Sequence, residues 1–300
     1  MNAAQYLSWA RPLFKASKAL GAAEAFFLAL PERLLDAAGE GHFLESSVSS
    51  TRGLERVKLA LITADEPRDL ARAPRRRDAP AKARAVRALL ASLEAASGPG
   101  YDQPSAKAVL AALERWGLRG SLMLSLDFDR AAGGFDKLSL YGYLPGPPAL
   151  GDLLSAFGLG PLATALGPLA GPSLAFFGVD LPPGAPAALK LYNKAALGEA
   201  RLDGEARRAG SALAEAAPLR DVTVLTRVGS TAPPKSYLGF ARAVPLPDLA
   251  RLRLLGGPAG WLGDAARVLP GQCARFVGVG HGGCEVYFDR SGFGPAEDAE

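Results

Sequence analysis

Three hundred residues hold either two ordinary domains or one large barrel. With 49% apolar and 21% charged residues, the chain is too apolar to be disordered and has enough to bury a sizeable core. A formal net charge of +4 gives no footing for a nucleic-acid partner. The densest basic run, "RAPRRRDAP" (72–80), sits among Pro and Asp and reads as a solvated loop.

From the N-terminus, the first 39 residues predict one or two helices. Arg11, Lys15, Lys18 and Glu24 interrupt their apolar stretch, so it reads as neither a signal peptide nor a membrane anchor. A first hairpin follows in "HFLESSVSSTRGLERVKLALIT" (42–63), turning at Thr51-Arg52-Gly53. The segments 81–96 and 105–118 carry apolar residues at helical spacing, the second with Ser105 placed as an N-cap. Hairpin two is "SLMLSLDFDRAAGGFDKLSLYGYL" (121–144), and "ALGDLLSAFGL" with "LATALGPL" supplies helix after it.

Hairpin three, "SLAFFGVDLPPGAPAALKLYNK" (173–194), turns among Pro182, Pro183 and Gly184. The stretch Leu153 to Val179 is uncharged for 27 residues, which is long enough to span a bilayer. Gly-Pro steps at 160–161, 167–168 and 171–172 divide it, so it reads as a buried core segment of short helices and a strand. Helical pattern (197–217), hairpin four (221–242), more helix (246–269) and hairpin five (274–290) complete the chain.

Only His42, His281, Cys273 and Cys284 are available as soft metal ligands, too few and too scattered for a zinc site. Pairing across the last turn sets Cys284 opposite Val279 and Cys273 opposite Arg290. That predicts two unbridged thiols in a reducing, cytoplasmic compartment.

The repeat is the informative feature: about five helix–helix–strand–strand units in one domain, residues 1–300. This is an α+β chain. Its hairpins close into a ten-stranded antiparallel barrel with helices outside, or lie in an open sheet with one wet face. Alternation puts Val57, Leu59, Leu61, Leu138, Leu140, Val286 and Phe288 on the helix side.

The other face holds Arg56 and Lys58; Lys137, Ser139 and Tyr141; Lys190 and Tyr192; Lys235 and Tyr237; Glu285 and Tyr287. Glu45, Ser47 and Ser49 share that parity on the first strand. On an open sheet this is an ordinary solvated face. In a closed barrel the same row lines a cavity with ammonium groups and phenol rings.

Lysine and arginine in a partly dry cavity suit a diphosphate, and neighbouring tyrosine faces attract a cation. Both are needed to ionise an allylic diphosphate and shield its carbocation from water.

On the five units, the strand "LKLY" and the Glu-x-Ser strand "FLESSV", the chain resembles the soluble aromatic prenyltransferases of the ABBA type. The indole and cyanobactin peptide branches are nearest. The resemblance implies a prenyltransferase that moves a dimethylallyl or related prenyl group from its diphosphate to an indole or phenol. The acceptor is free, or a Trp or Tyr side chain in a peptide. It assigns Glu45 to the acceptor, Arg56, Lys58, Lys137, Lys190 and Lys235 to the diphosphate, and Tyr141, Tyr192, Tyr237 and Tyr287 to the cation.

The sequence itself requires no cofactor, with Mg²⁺ open, and the resemblance implies dimethylallyl diphosphate as co-substrate. Asp127, in parity with Ser125, reads either as a carboxylate that places Mg²⁺ or as a solvated aspartate at the rim. The chain has no Asp-Asp-x-x-Asp cluster like that of the helical isoprenoid enzymes. It departs from the family pattern at Ala188, where the indole branch has a second basic residue, and at Glu285, a carboxylate among diphosphate ligands. Both departures suit a second reading, a non-catalytic barrel that binds an amphipathic ligand.

Overall fold

The structure is a computed structural model. It describes residues 11–18, 20, 21, 24, 42–63, 104, 107, 108, 111, 122–131, 134–143, 147–166, 174–198, 202–231, 233–251, 260–268, 270–280 and 283–290. Strands β1 (His42–Ser49), β2 (Gly53–Thr63), β3 (Leu122–Asp129), β4 (Gly134–Tyr143) and β5 (Leu174–Leu181) are followed by five more. These are β6 (Ala188–Ala196), β7 (Leu219–Arg227), β8 (Lys235–Pro245), β9 (Gln272–Gly280) and β10 (Gly283–Arg290). Each strand pairs antiparallel with its sequence neighbours, and β1 pairs with β10, so the sheet is a closed barrel. The open-sheet alternative is thereby excluded.

Closure rests on turn chemistry and alternation. Gly53 (φ 51°) and Gly184 (φ 68°) take left-handed conformations in the first and third hairpins, where a Cβ would be strained. Successive strands run up and down, so all five hairpin turns lie at one end of the barrel.

The outward residues form the core. Val57, Phe128, Leu138, Leu140, Phe177, Leu191, Val222, Leu238, Val277, Val286 and Phe288 are fully buried. Against them pack Leu153 and Leu154 of helix Pro147–Ala156, Leu213 of helix Gly204–Ala216, and Trp261 of helix Trp261–Val268. Residues 11–16 are helical and bring Phe14 against Phe128, ring centroids 4.9 Å apart. This double layer keeps the hydrophobic core outside the barrel and leaves the lumen for polar groups.

Two expectations need correction. The third inter-hairpin segment carries one described helix, Gly204–Ala216, where the repeat suggests two. Asp203 caps it by accepting from the Ala206 N–H at 2.7 Å, which fixes a late start for the helix. Cys273 stands opposite Asp289 instead of Arg290, because the β9–β10 register shifts between Tyr287 and Phe288. Cys284 does face Val279, and neither cysteine is in a disulfide. Burial pushes the Cys284 thiol up to about 11, which keeps it protonated at neutral pH.

Within the uncharged stretch the structure describes the end of helix Pro147–Ala156, a turn at Gly160–Leu162 that holds the first Gly-Pro step, helix Ala163–Leu166 and β5, while the steps at 167–168 and 171–172 lie outside the described residues. No described helix is long and apolar enough to cross a membrane. The basic run 72–80, the helical pattern 81–96, most of 105–118 and residues 291–300 lie outside the described residues.

Candidate active site

Closure turns the Lys/Tyr row inward. Tyr141, Lys190, Tyr192 and Tyr287 are each 3–4% exposed, which no solvated sheet face would allow. Within this lumen the charged groups form two clusters, each built around a carboxylate.

Asp180 of β5 anchors the first. It accepts from Ser139 Oγ at 2.6 Å and from Lys137 Nζ at 3.0 Å, and it also forms a close ion pair with Lys190. The second is centred on Glu285 of β10. It accepts from Lys235 Nζ at 2.5 Å, Ser47 Oγ at 2.6 Å and the Tyr287 hydroxyl at 2.6 Å. Lys58 and Tyr141 connect the two clusters. The Tyr141 hydroxyl accepts from both Lys58 and Lys190, each at 3.2 Å.

Arg56 lies further toward the turn end, held by Asp127 at 3.1 Å and Asp136 at 2.9 Å. Asp127 is 5% exposed and also lies 3.6 Å from Lys137. It is therefore a buried counter-ion and not a solvated rim aspartate. With two cations already on its carboxylate, its surroundings give no support to Mg²⁺ placement. Among the described residues no group of three His, Cys, Asp or Glu stands close enough to hold a metal.

Next to the lysines runs an aromatic belt. Tyr192 lies 5.9 Å from Tyr141 and 6.0 Å from Tyr237, and Tyr237 lies 5.6 Å from Tyr287, between ring centroids. Phe176 stacks on Tyr192 at 4.2 Å and Phe276 on Tyr287 at 4.6 Å. Lys190 Nζ sits 4.8 Å from the Tyr141 ring, and Lys235 Nζ 5.0 Å from the Tyr237 ring. Cation–π contact thus already operates at the boundary of the two layers.

Two glycines make this packing possible. A Cβ on Gly178 would meet the Tyr141 ring at 2.7 Å and Lys190 Cε at 3.2 Å. One on Gly278 would meet Lys235 Cε at 2.6 Å and Tyr237 Cε1 at 3.1 Å. At both places a side chain from the next strand lies flat over bare backbone.

The electrostatics follow from burial and pairing. Burial alone would raise the Asp180 carboxyl, but Lys190 and Lys137 outweigh it and hold the group well below the usual carboxylate range. For Glu285 burial is likewise overcome, by Lys235 and Lys58. Burial works against the charge on Lys190, yet Tyr141 and Asp180 hold its ammonium above its ordinary value. Burial pushes the Tyr192 and Tyr287 phenols well up. Tyr141 is the exception: against burial, Lys190 and Lys58 pull it down to about 8.

The structure therefore brings together Lys58, Lys137, Lys190 and Lys235 with Tyr141, Tyr192, Tyr237 and Tyr287, and sets Arg56 at the edge of the group. Glu45 stands on β1 opposite Ala60 and Asp289, two positions from Ser47. Its side chain lies outside the described residues. Ala188, the missing second base, is exposed at the start of β6, opposite Asp180.

Sequence reasoning passes over Asp180, Phe176 and Phe276. The signal for the first two was present in "AFFGVD", where Phe176, Gly178 and Asp180 alternate on the parity that faces Lys190.

No protein-family model matches this sequence, and no curated protein matches it. Solved structures do match, over nearly the whole chain. The 6-dimethylallyltryptophan synthase from Micromonospora olivasterospora, in complex with DMASPP and Trp, is 17% identical, with a TM-score of 0.67. That match covers 96% of this chain and 97% of the other. The 5-dimethylallyltryptophan synthase from Streptomyces coelicolor is 13% identical, with a TM-score of 0.65 over 95% and 96% of the two chains. Prenyltransferase PriB, in a ternary complex with L-tryptophan and dimethylallyl thiolodiphosphate, is 14% identical, with a TM-score of 0.61 over 96% and 97%. The fold of this chain is the ten-stranded barrel of the ABBA-type aromatic prenyltransferases.

Proposed function

We propose that this barrel transfers a dimethylallyl or related prenyl group from its diphosphate to an indole or phenol. The carrying observation is the contact between a layer of lysines, buried at Lys190 and half-buried at Lys58, Lys137 and Lys235, and a belt of phenol rings inside a closed lumen. The solved barrels of the same fold that hold tryptophan beside a donor analogue support an indole acceptor, free or as a Trp side chain.

In this reading Lys58, Lys137, Lys190 and Lys235, with Arg56 at the edge, receive the diphosphate. The bond between the allylic carbon and the diphosphate oxygen breaks, and the electron pair leaves with the diphosphate. The allylic cation is then held by the faces of Tyr141, Tyr192, Tyr237 and Tyr287, with Phe176 and Phe276 backing the belt. The lumen excludes water, which would otherwise capture the cation. An aromatic carbon of the acceptor supplies the electron pair for the new C–C bond. Glu45 orients the acceptor through its N–H or O–H and takes the proton released.

Product mass after incubation with dimethylallyl diphosphate and a panel of Trp- and Tyr-containing acceptors tests this. An added prenyl group on an indole-containing acceptor supports it. Recovery of unmodified acceptors, with the donor analogue bound, supports the second reading, a barrel that binds an amphipathic ligand without turnover. Asp180 and Glu285 favour that reading, since they already neutralise lysines meant for the donor.

The low phenol of Tyr141 predicts a pH limb. Below about 8 the hydroxyl is neutral, and Lys58 and Lys190 turn their charge toward the donor. Above it the phenolate competes with diphosphate for the same two lysines, so kcat/KM for the donor falls as pH rises. Tyr141→Phe should remove that fall from the profile. Persistence of the limb in the variant would assign it to another group.

A further inference from the structure

Two of the lumen carboxylates, buried Asp180 and half-buried Glu285, stand where a diphosphate site has least use for them. Here Arg56, Lys58, Lys137, Lys190 and Lys235 meet the carboxylates of Asp127, Asp136, Asp180 and Glu285. Asp180 and Glu285 sit on β5 and β10, which lie opposite one another in the strand order of the closed barrel. Each has three partners: Lys190, Lys137 and Ser139 for Asp180; Lys235, Ser47 and Tyr287 for Glu285. One string of contacts runs from Asp180 through Lys190, Tyr141 and Lys58 toward the Tyr287–Glu285–Lys235 group. Lys58 Nζ closes the gap at 5.6 Å from the Tyr287 ring.

Five unpaired cations in a space that buries Lys190 to 4% exposure would repel one another and lose hydration without recompense. The carboxylates remove that cost in the empty barrel. They also cannot leave when an anion arrives. Asp180 is short, strand-borne and tied by Ser139, while Glu285 is tied by Ser47 and Tyr287. A bound diphosphate therefore shares its lysines with two fixed negative charges.

We propose that Asp180 and Glu285 are built-in counter-ions of the donor site: they hold its lysines in place when it is empty and limit how tightly diphosphate is retained. The proposal rests on the reading that these lysines hold a diphosphate. It makes the two carboxylates positioning residues whose removal strengthens binding and slows release. A carboxylate that merely supported the fold would do the reverse, since its loss would loosen the lysines.

The experiment is calorimetric titration of inorganic pyrophosphate into the full-length parent, Asp180→Asn and Glu285→Gln. Melting curves and steady-state kinetics accompany it. Each variant should bind pyrophosphate at least tenfold more tightly than the parent, with KM for the donor lowered and kcat reduced as product leaves more slowly. The amide oxygen of Glu285→Gln still accepts from Tyr287 while its NH2 group can donate to Ser47 Oγ, and Lys235 is about one-quarter exposed, so this variant decides the matter if Asp180→Asn does not fold. Equal or weaker binding in a variant that melts like the parent overturns the counter-ion role. A parent that binds no pyrophosphate overturns instead the diphosphate reading on which the proposal stands.

Discussion

Glu45→Gln should leave the melting temperature of the barrel within about a degree of the parent and lower turnover by about 10²–10⁴-fold, the range for removing a positioned general base. The isosteric amide keeps a carbonyl that can accept from an acceptor N–H, so binding of the acceptor should change less than kcat. The strand itself has no stake in the charge: Glu45 pairs through backbone with Ala60 and Asp289, and those ladder bonds do not depend on the side chain. Single-turnover product formation with saturating donor and acceptor reads the effect directly. Turnover near that of the parent would remove Glu45 from the mechanism, and the proton would then need another acceptor in the lumen.

Lys190→Met should be the most damaging lysine change, in stability as well as activity. The side chains of Lys190 and Asp180 are 5% and 10% exposed, so the pair is buried on both sides. Breaking such a pair leaves a buried charge with one cation fewer, at a cost of about 3–5 kcal/mol. Asp180 would retain Lys137 at 3.0 Å and Ser139 at 2.6 Å, which places the expected loss at the lower end of that range. Urea denaturation of Lys190→Met, Asp180→Asn and the double variant measures it as a cycle. The double variant should recover much of the loss, because the stranded charge is gone. Simple additivity of the two single changes would show that the pair is not coupled. Donor binding should not recover in the double variant, since that function needs the ammonium itself.

The legibility of these two sites differs for a physical reason. The Lys190–Tyr192 row was readable because strand alternation is a local property, fixed by the pleat and independent of distant neighbours. The five hairpins were readable for the same reason, as were the outward positions of Val57, Leu138, Leu140 and Val286. Asp180 was not singled out. One aspartate at a strand end, before Pro182 and Pro183, is ordinary turn chemistry until its neighbours are known. Its meaning comes from Lys137, Ser139 and Lys190 on two other strands. Asp127 went astray in the same way: its parity was right, but its burial depended on Arg56 and Lys137.

Glu285 shows the limit most plainly. Alone it reads as a fault in a diphosphate site. Its bond to Ser47, 238 residues away, exists only because β10 closes onto β1. The amino-acid sequence by itself determined the repeat, the turns and which residues share a face. Tertiary structure alone decided that this face is an interior, because the environment of a strand face is set by the closure of the whole sheet. Closure turns a row that water would otherwise solvate into an enclosed lumen where each described lysine meets a carboxylate or a phenol.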